Sequence, residues 1–343
     1  YDAVNVARDA YIADAYHKRY HPIKDYLEAL KWDGQDNIMT LSCYFTDEDN
    51  VFYSWLLKFL IGAVARVYLN GTQNRVLVLD GPQDLGKSFF VRWLASGLDG
   101  KYYIDAAIDP ENKDDHIRLM NTWIWEIGEL NATTGKVDRN ALKQFLSREQ
   151  VRVRVPYGRN DITRPALTSF IATANNDGGF LNDPTGSRRF AACTLKAINW
   201  AYAKDINVGQ VWAQAKHLFD TGESWRYTGE DKDQVNKINA RFEIENPAFS
   251  WLDELIIFDP EKNTPTTAIL SDLRFKGARG SDKALTGDIS SWMKAHGIKK
   301  AIVDQGRDDQ GKRIQKTAWL GVGLRDVGAG RSADGPAEPE WES

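Results

Sequence analysis

Cysteine and histidine are scarce in this sequence. Its 343 residues include two cysteines, Cys43 and Cys193, and five scattered histidines. Two cysteines so far apart exclude a disulfide framework and are typical of a protein in a reducing cytoplasm. The cysteines and histidines also make no metal-ligand spacing, so we expect no structural zinc site.

Long apolar runs and an excess of positive charge are also absent. The segment Trp55–Tyr68 is too short to span a membrane and is interrupted by charge, and the chain has no secretory signal. The formal net charge is −4, so a surface that binds nucleic acid must be a local basic patch. Hydrophobic residues make up 42% and charged residues 27%, which predicts a mostly globular chain of two or three domains. Because the chain begins at Tyr1 rather than Met, we expect a fragment of a longer protein with an upstream domain.

Residues 81–88 carry the pattern G-x-x-x-x-G-K-S, which is typical of a phosphate-binding P-loop. An apolar run that suits a buried strand precedes the loop, and a stretch that suits a helix follows it. The glycines let several backbone N–H groups point at one phosphate, and the helix N-terminus adds partial positive charge. In this chemistry Lys87 reaches the β- and γ-phosphates and Ser88 holds Mg²⁺; the alternative is a coincidental glycine-rich turn. The predicted nucleotide-binding residues are Gly81, Pro82, Gln83, Asp84, Leu85, Gly86, Lys87 and Ser88.

A second apolar run, Thr122–Leu130, ends in two carboxylates, Glu126 and Glu129. A buried strand that ends in acids is costly unless the acids meet a cation or a donor. A P-loop enzyme needs such groups for Mg²⁺ and for the attacking water. We therefore predict that both glutamates are catalytic and bind Mg²⁺ together with the nucleotide. The alternative is an ordinary strand whose acids are solvated.

Two polar motifs follow at the ends of further apolar runs. The run that begins at Phe170 ends at Asn175, whose amide can orient the attacking water and sense the γ-phosphate; the alternative is a simple turn. Arg188 and Arg189 precede the next apolar strand. In oligomeric ATPases an arginine placed across a subunit interface stabilises the charge that develops in phosphoryl transfer. We predict that role for one of these two arginines, and the alternative is a solvated strand edge.

The segment between the acidic strand and the asparagine strand is basic. Residues 148–164 hold five arginines against two acidic residues. The alternation in Val151–Val155, followed by the turn Pro156–Arg159, predicts a β-hairpin. Its arginines can contact a nucleic-acid backbone, and its tyrosine can stack on a base. The alternative is a solvated hairpin. The predicted DNA-binding residues are Arg152, Arg154, Tyr157 and Arg159.

The pattern of the whole chain predicts an α/β protein. Residues 1–70 favour a helical region, and residues 71–200 alternate short apolar runs with helical stretches, which predicts a three-layer P-loop ATPase core. A helical connector over residues 201–246 and a disordered acidic tail over residues 326–343 complete the organisation. The strand candidates of the core are Val76–Asp80, Thr122–Ile127, Val151–Val155, Leu167–Ala174 and Phe190–Leu195.

Residues 247–325 predict a small winged-helix domain. Residues 274–316 hold eleven basic residues against five acidic ones, which suits binding to duplex DNA. The third helix would be the recognition helix and residues 306–313 the wing tip. The alternative is a winged helix that packs against protein. The expected elements are the helices Phe249–Phe258, Thr266–Leu273 and Thr286–His296 and the hairpin strands Lys299–Val303 and Ile314–Leu320.

The order of these motifs within residues 81–189 resembles superfamily 3 helicases, the ring-forming helicases of phages, small viruses and plasmids. Over roughly residues 20–195 the chain is more similar still to the virulence-associated E (VapE) family of phages and mobile elements. The resemblance implies an AAA+-like ATPase that uses ATP and Mg²⁺. It also implies a hexameric ring that translocates on single-stranded or forked DNA during replication, in the cytoplasm of a bacterial host. The segments that carry it are His21–Leu27, Lys31–Gly34, Leu60–Arg66, Val78–Gln83, Glu126–Leu130, Leu142–Lys143, Tyr157–Arg159 and Asp183–Phe190.

The resemblance also implies a role for each motif residue. Lys87 and Ser88 would bind the phosphates and Mg²⁺, and Glu129 with Glu126 would be the acidic pair. Asn175 would be the sensor, and Arg188 or Arg189 the trans-acting finger. The segment Tyr157–Arg159 would form the pore hairpin. A primase-like domain often precedes such an ATPase. One departure is Asp84, where the family pattern favours glycine. A carboxylate there would repel the phosphates unless it points away.

Three functions fit this sequence. The first is an ATP-dependent DNA helicase or translocase of phage or mobile-element replication, which hydrolyses ATP at the subunit interfaces of a ring. The second is a replication initiator or regulator that binds DNA and uses nucleotide only to assemble, without strong unwinding. The third is a structural or defence ATPase with no DNA role.

Overall fold

The computed structural model describes residues 3–17, 20–130, 139–154, 161–175, 179, 181, 187–243, 247–307 and 313–325. The chain divides into two compact units, Tyr1–Ile244 (unit 1) and Glu245–Ser343 (unit 2). Among the described residues, no helix has the length and apolar character needed to cross a membrane.

Unit 1 alternates helices with short strands. Its helices are α1 Ala3–His17, α2 Pro22–Ala29, α3 Asn37–Ser42, α4 Phe52–Tyr68, α5 Lys87–Leu94, α6 Lys113–Asn121, α7 Arg139–Leu146, α8 Tyr202–Asp205, α9 Val208–Asp220 and α10 Glu230–Ala240. Its strands are β1 Phe45–Asp47, β2 Val76–Asp80, β3 Tyr103–Asp105, β4 Ile124–Ile127, β5 Gln150–Val153, β6 Ile162–Pro165, β7 Ser169–Thr173 and β8 Phe190–Ile198.

Six of these strands form the central sheet, in the order β1-β8-β2-β7-β4-β3. All pairs from β8 to β3 are parallel, and only β1 joins antiparallel, on β8. Every residue of β2 and β7 is buried, as expected for strands covered on both faces. The predicted α/β class is therefore confirmed, and the structure shows a mixed fold built on a mostly parallel sheet. The carboxyl ends of five strands meet at one edge, where polar side chains can converge.

Helices cover both faces of this sheet. Trp125 of β4 and Phe170 of β7 are register partners, and the ring of Phe145 in α7 lies 5.9 and 6.2 Å from theirs. Successive strand residues point to opposite faces, so Glu126 points away from α7. The hydroxyl of Ser88 lies close enough to Glu126 to lower the pKa of its carboxyl group. Because Ser88 is in the first turn of α5, α5 lies on that second face. Glu126 is thus a polar group between the sheet and the P-loop helix.

Helix α4 organises the core beneath the sheet. Trp55 of α4 donates its indole N–H to the carbonyl of Ala192 at 3.1 Å. Arg66 is almost fully buried and donates to the carbonyl of Ala166 at 2.9 Å, just after β6. Burial lowers the pKa of Arg66 to about 10, and Glu149 partly offsets this. This guanidinium connects α4 to the base of the β5–β6 hairpin.

The segment expected as a helical connector packs within unit 1. Trp212 of α9 is fully buried, and its ring lies 4.1 Å from that of Trp123. It also donates its indole N–H to the carbonyl of Leu94 at the end of α5, at 2.9 Å. Helix α9 therefore covers the layer that contains α4 and α5.

Unit 2 has its own core and a three-stranded antiparallel sheet in the order β10-β11-β9. Trp292 is buried in that core and donates to Asp253 at 2.9 Å. The prediction of a helix over Phe249–Phe258 is wrong in its last turn. It ends at Leu255, and a strand begins at Ile256. The elements are α11 Pro247–Leu255, β9 Ile256–Pro265, α12 Thr266–Phe275, α13 Asp282–Ala295, β10 Lys300–Arg307 and β11 Arg313–Leu324.

Candidate functional site

The P-loop leaves the buried strand β2 and turns into α5. Gly81 and Gly86 have φ angles of +149° and +101°, which favour glycine. A Cβ atom on Gly81 would lie 2.5 Å from the carbonyl oxygen of Leu195, and one on Gly86 would lie 2.8 Å from the indole nitrogen of Trp200. Helix α5 begins at Lys87 without a side-chain cap. The fold therefore requires both glycines, and the first N–H groups of α5 can meet an anion.

Lys87 lies inside the loop that it follows. Its side chain is buried, with the residue 6% exposed. The ammonium group donates to the carbonyl oxygens of Gly81 and Pro82, each at 2.7 Å. These two bonds hold the positive charge over the loop.

Glu126 of β4 is a buried carboxyl group behind the P-loop helix, with 0% of its surface exposed. Tyr103 of β3 donates its hydroxyl proton to Oε2, while Oε1 is buried without a hydrogen-bond partner. Burial raises the pKa of Glu126, and the hydroxyls of Ser88 and Tyr103 partly offset this. The nearby charge of Asp105 raises the pKa further, whereas Arg92 lowers it. A cation near Ser88 would complete the environment of this carboxylate.

A cavity of about 470 Å³ opens above the loop at the carboxyl edge of the sheet. Glu129 reaches it after β4 with a φ of +49°, an uncommon conformation for a residue with a side chain. Asn175 reaches it after β7. The structure thus brings Lys87, Ser88, Glu129 and Asn175 together, with Glu126 behind Ser88. The lining residues are Gln83, Asp84, Leu85, Gly86, Lys87, Ser88, Phe89, Arg92, Gly128, Glu129, Thr173, Asn175 and Trp200.

Asp84 occupies the left-handed region, with a φ of +61°. Glycine adopts this conformation without strain, and aspartate is among the few other residues that tolerate it. The backbone therefore gives a physical reason for glycine at this position. The side chain of Asp84 is exposed at the rim of the cavity.

Arg188 and Arg189 lie at the opposite edge of the sheet. They precede β8, whose first residue pairs with the first residue of β2. The P-loop follows the last residue of β2. Because β2 has five residues, roughly 16 Å of strand separates the two edges. The arginines therefore do not share a cavity with the P-loop of the same chain. They line a second cavity of about 540 Å³ together with Arg75 and Arg226.

This second cavity concentrates positive charge. Arg189 donates to the hydroxyl of Ser147 at 2.5 Å. The guanidinium of Arg75 lies 4.4 Å from the ring centre of Tyr227, and its Nη1 is buried without a hydrogen-bond partner. Burial lowers the pKa of Arg75 and of Arg189, and the charge of Arg188 lowers both further. Such an arrangement suits an anion.

The basic hairpin forms as predicted over the residues that the structure describes. Strands β5 and β6 pair antiparallel, with Val151 opposite Arg164. Val151 is buried, whereas Arg152 and Arg154 are exposed. Arg152 forms an ion pair with Asp161 at 3.2 Å. Tyr157 and Arg159 lie outside the described residues.

Several residues of the two cavities and of the surroundings of Glu126 were not predicted from the sequence. Strand β3 has three residues, which is too short to show a period, so its tyrosine and aspartate gave no signal. Trp200 follows β8 with no motif around it. The missed residues include Arg75, Phe89, Arg92, Thr173, Trp200 and Arg226 of the cavities and Tyr103 and Asp105 near Glu126. Among the described residues, no group of three or more His, Cys, Asp or Glu side chains is arranged to hold a metal ion.

Comparison with known proteins gives a family and a group of distant structures. The family model for the virulence-associated protein E-like domain matches residues 27–244. An apo structure of the NrS-1 C-terminal region is 14% identical, with a TM-score of 0.48, and the match covers 87% of this chain and 78% of that chain. An A-form apo structure of that region gives 13% identity and a TM-score of 0.43 over the same shares. No curated protein matches the chain.

Proposed function

We propose that this chain, which belongs to the virulence-associated protein E-like domain family, is an ATP-dependent DNA helicase or translocase of phage or mobile-element replication. One observation carries the proposal: Lys87, Ser88, Glu129 and Asn175 line one cavity at the carboxyl edge of a parallel sheet. These are the groups that bind a triphosphate and activate water in phosphoryl transfer.

ATP would bind to the P-loop in the conformation that the structure shows. Backbone N–H groups of the loop and of the first turn of α5 would receive the phosphates. Lys87 would exchange its bonds to the carbonyls of Gly81 and Pro82 for bonds to β- and γ-phosphate oxygens. Bonds from the ammonium group to charged phosphate oxygens are stronger than bonds to neutral carbonyl oxygens, which favours the exchange.

The two glutamates differ in their surroundings, which supports different roles. Ser88 would hold Mg²⁺, which neutralises developing phosphate charge, and the buried oxygen of Glu126 that lacks a partner fits a cation there. Glu129 is exposed in the cavity and would accept a proton from the attacking water. Asn175 would orient that water by its amide, without added charge.

The arginines of the second cavity would complete the site of a neighbouring subunit. Because Arg188 and Arg189 lie at the amino edge of their own sheet, they can act on a P-loop only in another copy. A closed ring, which we propose to be a hexamer, brings different faces of neighbouring copies together. Arg75 and Arg226 would add to the positive potential at that interface.

DNA contact is proposed at the hairpin and in unit 2. Arg152 and Arg154 are exposed on the hairpin and would bind the phosphate backbone in the pore of the ring, with Tyr157 and Arg159 at its tip. In unit 2 the order of three helices and three antiparallel strands supports a winged helix. Its recognition helix would be α13, which begins one turn earlier than the sequence predicted.

Hydrolysis of ATP in the presence and absence of single-stranded DNA tests this function. We expect DNA to stimulate hydrolysis, a stimulation that weakens as salt rises, and we expect Lys87→Ala to abolish it. A rate of ATP hydrolysis that DNA does not change at any salt concentration would contradict the proposal.

A second candidate is an initiator or regulator that binds DNA and uses nucleotide for assembly. The separate core of unit 2 favours it, since a self-contained DNA-binding unit can direct the chain to a sequence. This alternative predicts sequence-specific binding through unit 2 with little strand separation.

A further inference from the structure

An exposed pair of aromatic rings lies at the rim of the P-loop cavity. Phe89 of α5 is 40% exposed and Trp200 is 54% exposed. Their rings are stacked, with centroids 5.7 Å apart and planes inclined by 14°. Both residues line the cavity that contains Lys87 and Ser88. Large aromatic surface left in water beside a polar cavity is typical of a binding surface.

Trp200 is held at a fixed position relative to the phosphate loop. Its indole N–H donates to the carbonyl of Leu85 at 3.0 Å. The indole also packs against Gly86 so closely that a Cβ atom there would lie 2.8 Å from its nitrogen. These contacts place the aromatic surface directly beside the phosphate loop in the absence of any ligand.

We propose that Trp200, supported by Phe89, is the surface on which the nucleobase of the bound nucleoside triphosphate stacks. A base offers a flat π-face that stacks on indole without any hydrogen-bond readout. The loop would bind the phosphates inside the cavity, and the aromatic surface at its rim would meet the base. The inference rests on the proposed function only in requiring a nucleotide at the P-loop.

A purely structural role for Trp200 predicts a different result. If the indole only clamped Leu85 and Gly86, its loss would loosen the loop and weaken every phosphate ligand. A stacking surface contributes only to ligands that have a base. Inorganic tripolyphosphate has the phosphates of ATP without the base, so comparison of the two ligands separates the roles.

The experiment measures binding of ATP and of tripolyphosphate, each with Mg²⁺, by calorimetry. We expect Trp200→Ala to weaken ATP binding roughly ten- to a hundredfold, the range that base stacking supplies, and to change tripolyphosphate binding by less than about twofold. Trp200→Phe keeps an aromatic face and loses the N–H, so it should retain most of the affinity for ATP. Trp32→Ala is the matched control, because Trp32 also donates its indole N–H to a carbonyl, that of Gln35, but does not line the cavity.

Equal weakening of both ligands by Trp200→Ala would overturn the inference in favour of a clamp. Unchanged ATP binding in Trp200→Ala would overturn it alone and leave the proposed function intact. Wild-type protein that binds neither ligand would overturn both. If Trp200→Ala does not fold, Trp200→Leu decides, because leucine fills much of the same space without a π-face: a loss of affinity for ATP equal to its loss for tripolyphosphate contradicts stacking.

Discussion

Tyr103 donates its hydroxyl proton to the buried carboxyl group of Glu126 across the neighbouring strands β3 and β4. Burial, together with this bond, raises the pKa of Tyr103 well above its ordinary range. The same bond stabilises the ionised form of Glu126, whose pKa burial raises. Tyr103 thus helps to keep a carboxylate charged in a place where charge is costly.

Tyr103→Phe should shift the acid limb of ATP hydrolysis to higher pH. Loss of the donor raises the pKa of Glu126, so the carboxylate that faces Ser88 ionises only at higher pH. A second buried oxygen without a partner also costs about 1–3 kcal/mol of stability. The pH profile of kcat/KM measures the shift. Tyr102→Phe, at the adjacent position, should leave the profile unchanged, and an unshifted profile in Tyr103→Phe would show that this bond does not control Glu126.

Glu126→Gln should abolish hydrolysis and reduce the pH dependence of folding. Because the pKa of Glu126 in the nucleotide-free fold is raised above its ordinary value of 4.5, the fold binds this proton more tightly than the unfolded chain. The stabilisation is fully present below the unfolded pKa and is lost as pH rises through the folded pKa. Glutamine does not titrate, so the variant should lose less stability over that window.

Urea unfolding at a series of pH values, without nucleotide, measures this difference. Glu129→Gln is the control for the loss of one carboxylate, because it makes the same chemical change at an exposed position. Identical pH dependence in wild type and Glu126→Gln would contradict the account of the buried carboxyl group.

Asp84→Gly should tighten ATP binding. The substitution removes a negative charge from the rim of the phosphate cavity, where it would repel the phosphates. Glycine also adopts the φ of +61° without the steric cost of a side chain, on the order of 1 kcal/mol, which acts on the stability of the fold. Asp84→Asn separates the two effects, since it removes the charge but keeps a side chain that tolerates this conformation. Titration with ATP should show tighter binding by both variants than by the wild type, whereas the free energy of unfolding reports the conformational effect. A weaker affinity in both variants would mean that Asp84 contributes to binding.

Mixed rings should recover activity from two inactive variants. Lys87→Ala removes the phosphate contact, and the double change Arg188→Ala with Arg189→Ala removes the proposed finger. In an equal mixture about a quarter of the interfaces combine an intact loop with intact arginines, so ATP hydrolysis should reappear. Activity that never rises above the sum of the separate variants would exclude action between subunits.

The sequence predicted the site residues that belong to recognisable motifs and missed those that only the fold brings to the site. Strand β2 was predicted with its observed bounds because four apolar residues and Asp80 lead into the P-loop. Glu126 and Glu129 were found as a pair, but only the structure shows that Glu126 is buried within β4, whereas Glu129 is exposed after the strand has ended. Trp200 gave no signal, because its contact with Leu85 joins segments that are 115 residues apart.

Strand β9 was missed for a related reason. Ile256, Ile257 and Phe258 continue the apolar character of α11, so the sequence predicts one longer helix. Their burial falls from buried to exposed along the run, and they pair with the end of β11. Tertiary pairing with a distant strand overrides the local pattern.

Strand displacement on a forked DNA substrate tests the central claim most directly. We expect the wild-type protein to release the shorter strand only when ATP and Mg²⁺ are present, and Lys87→Ala to release none under the same conditions. Strand release by Lys87→Ala at the wild-type rate would contradict the account, because separation would then not depend on the P-loop. Absence of release by wild-type protein that binds the fork and hydrolyses ATP would contradict the helicase and favour the initiator.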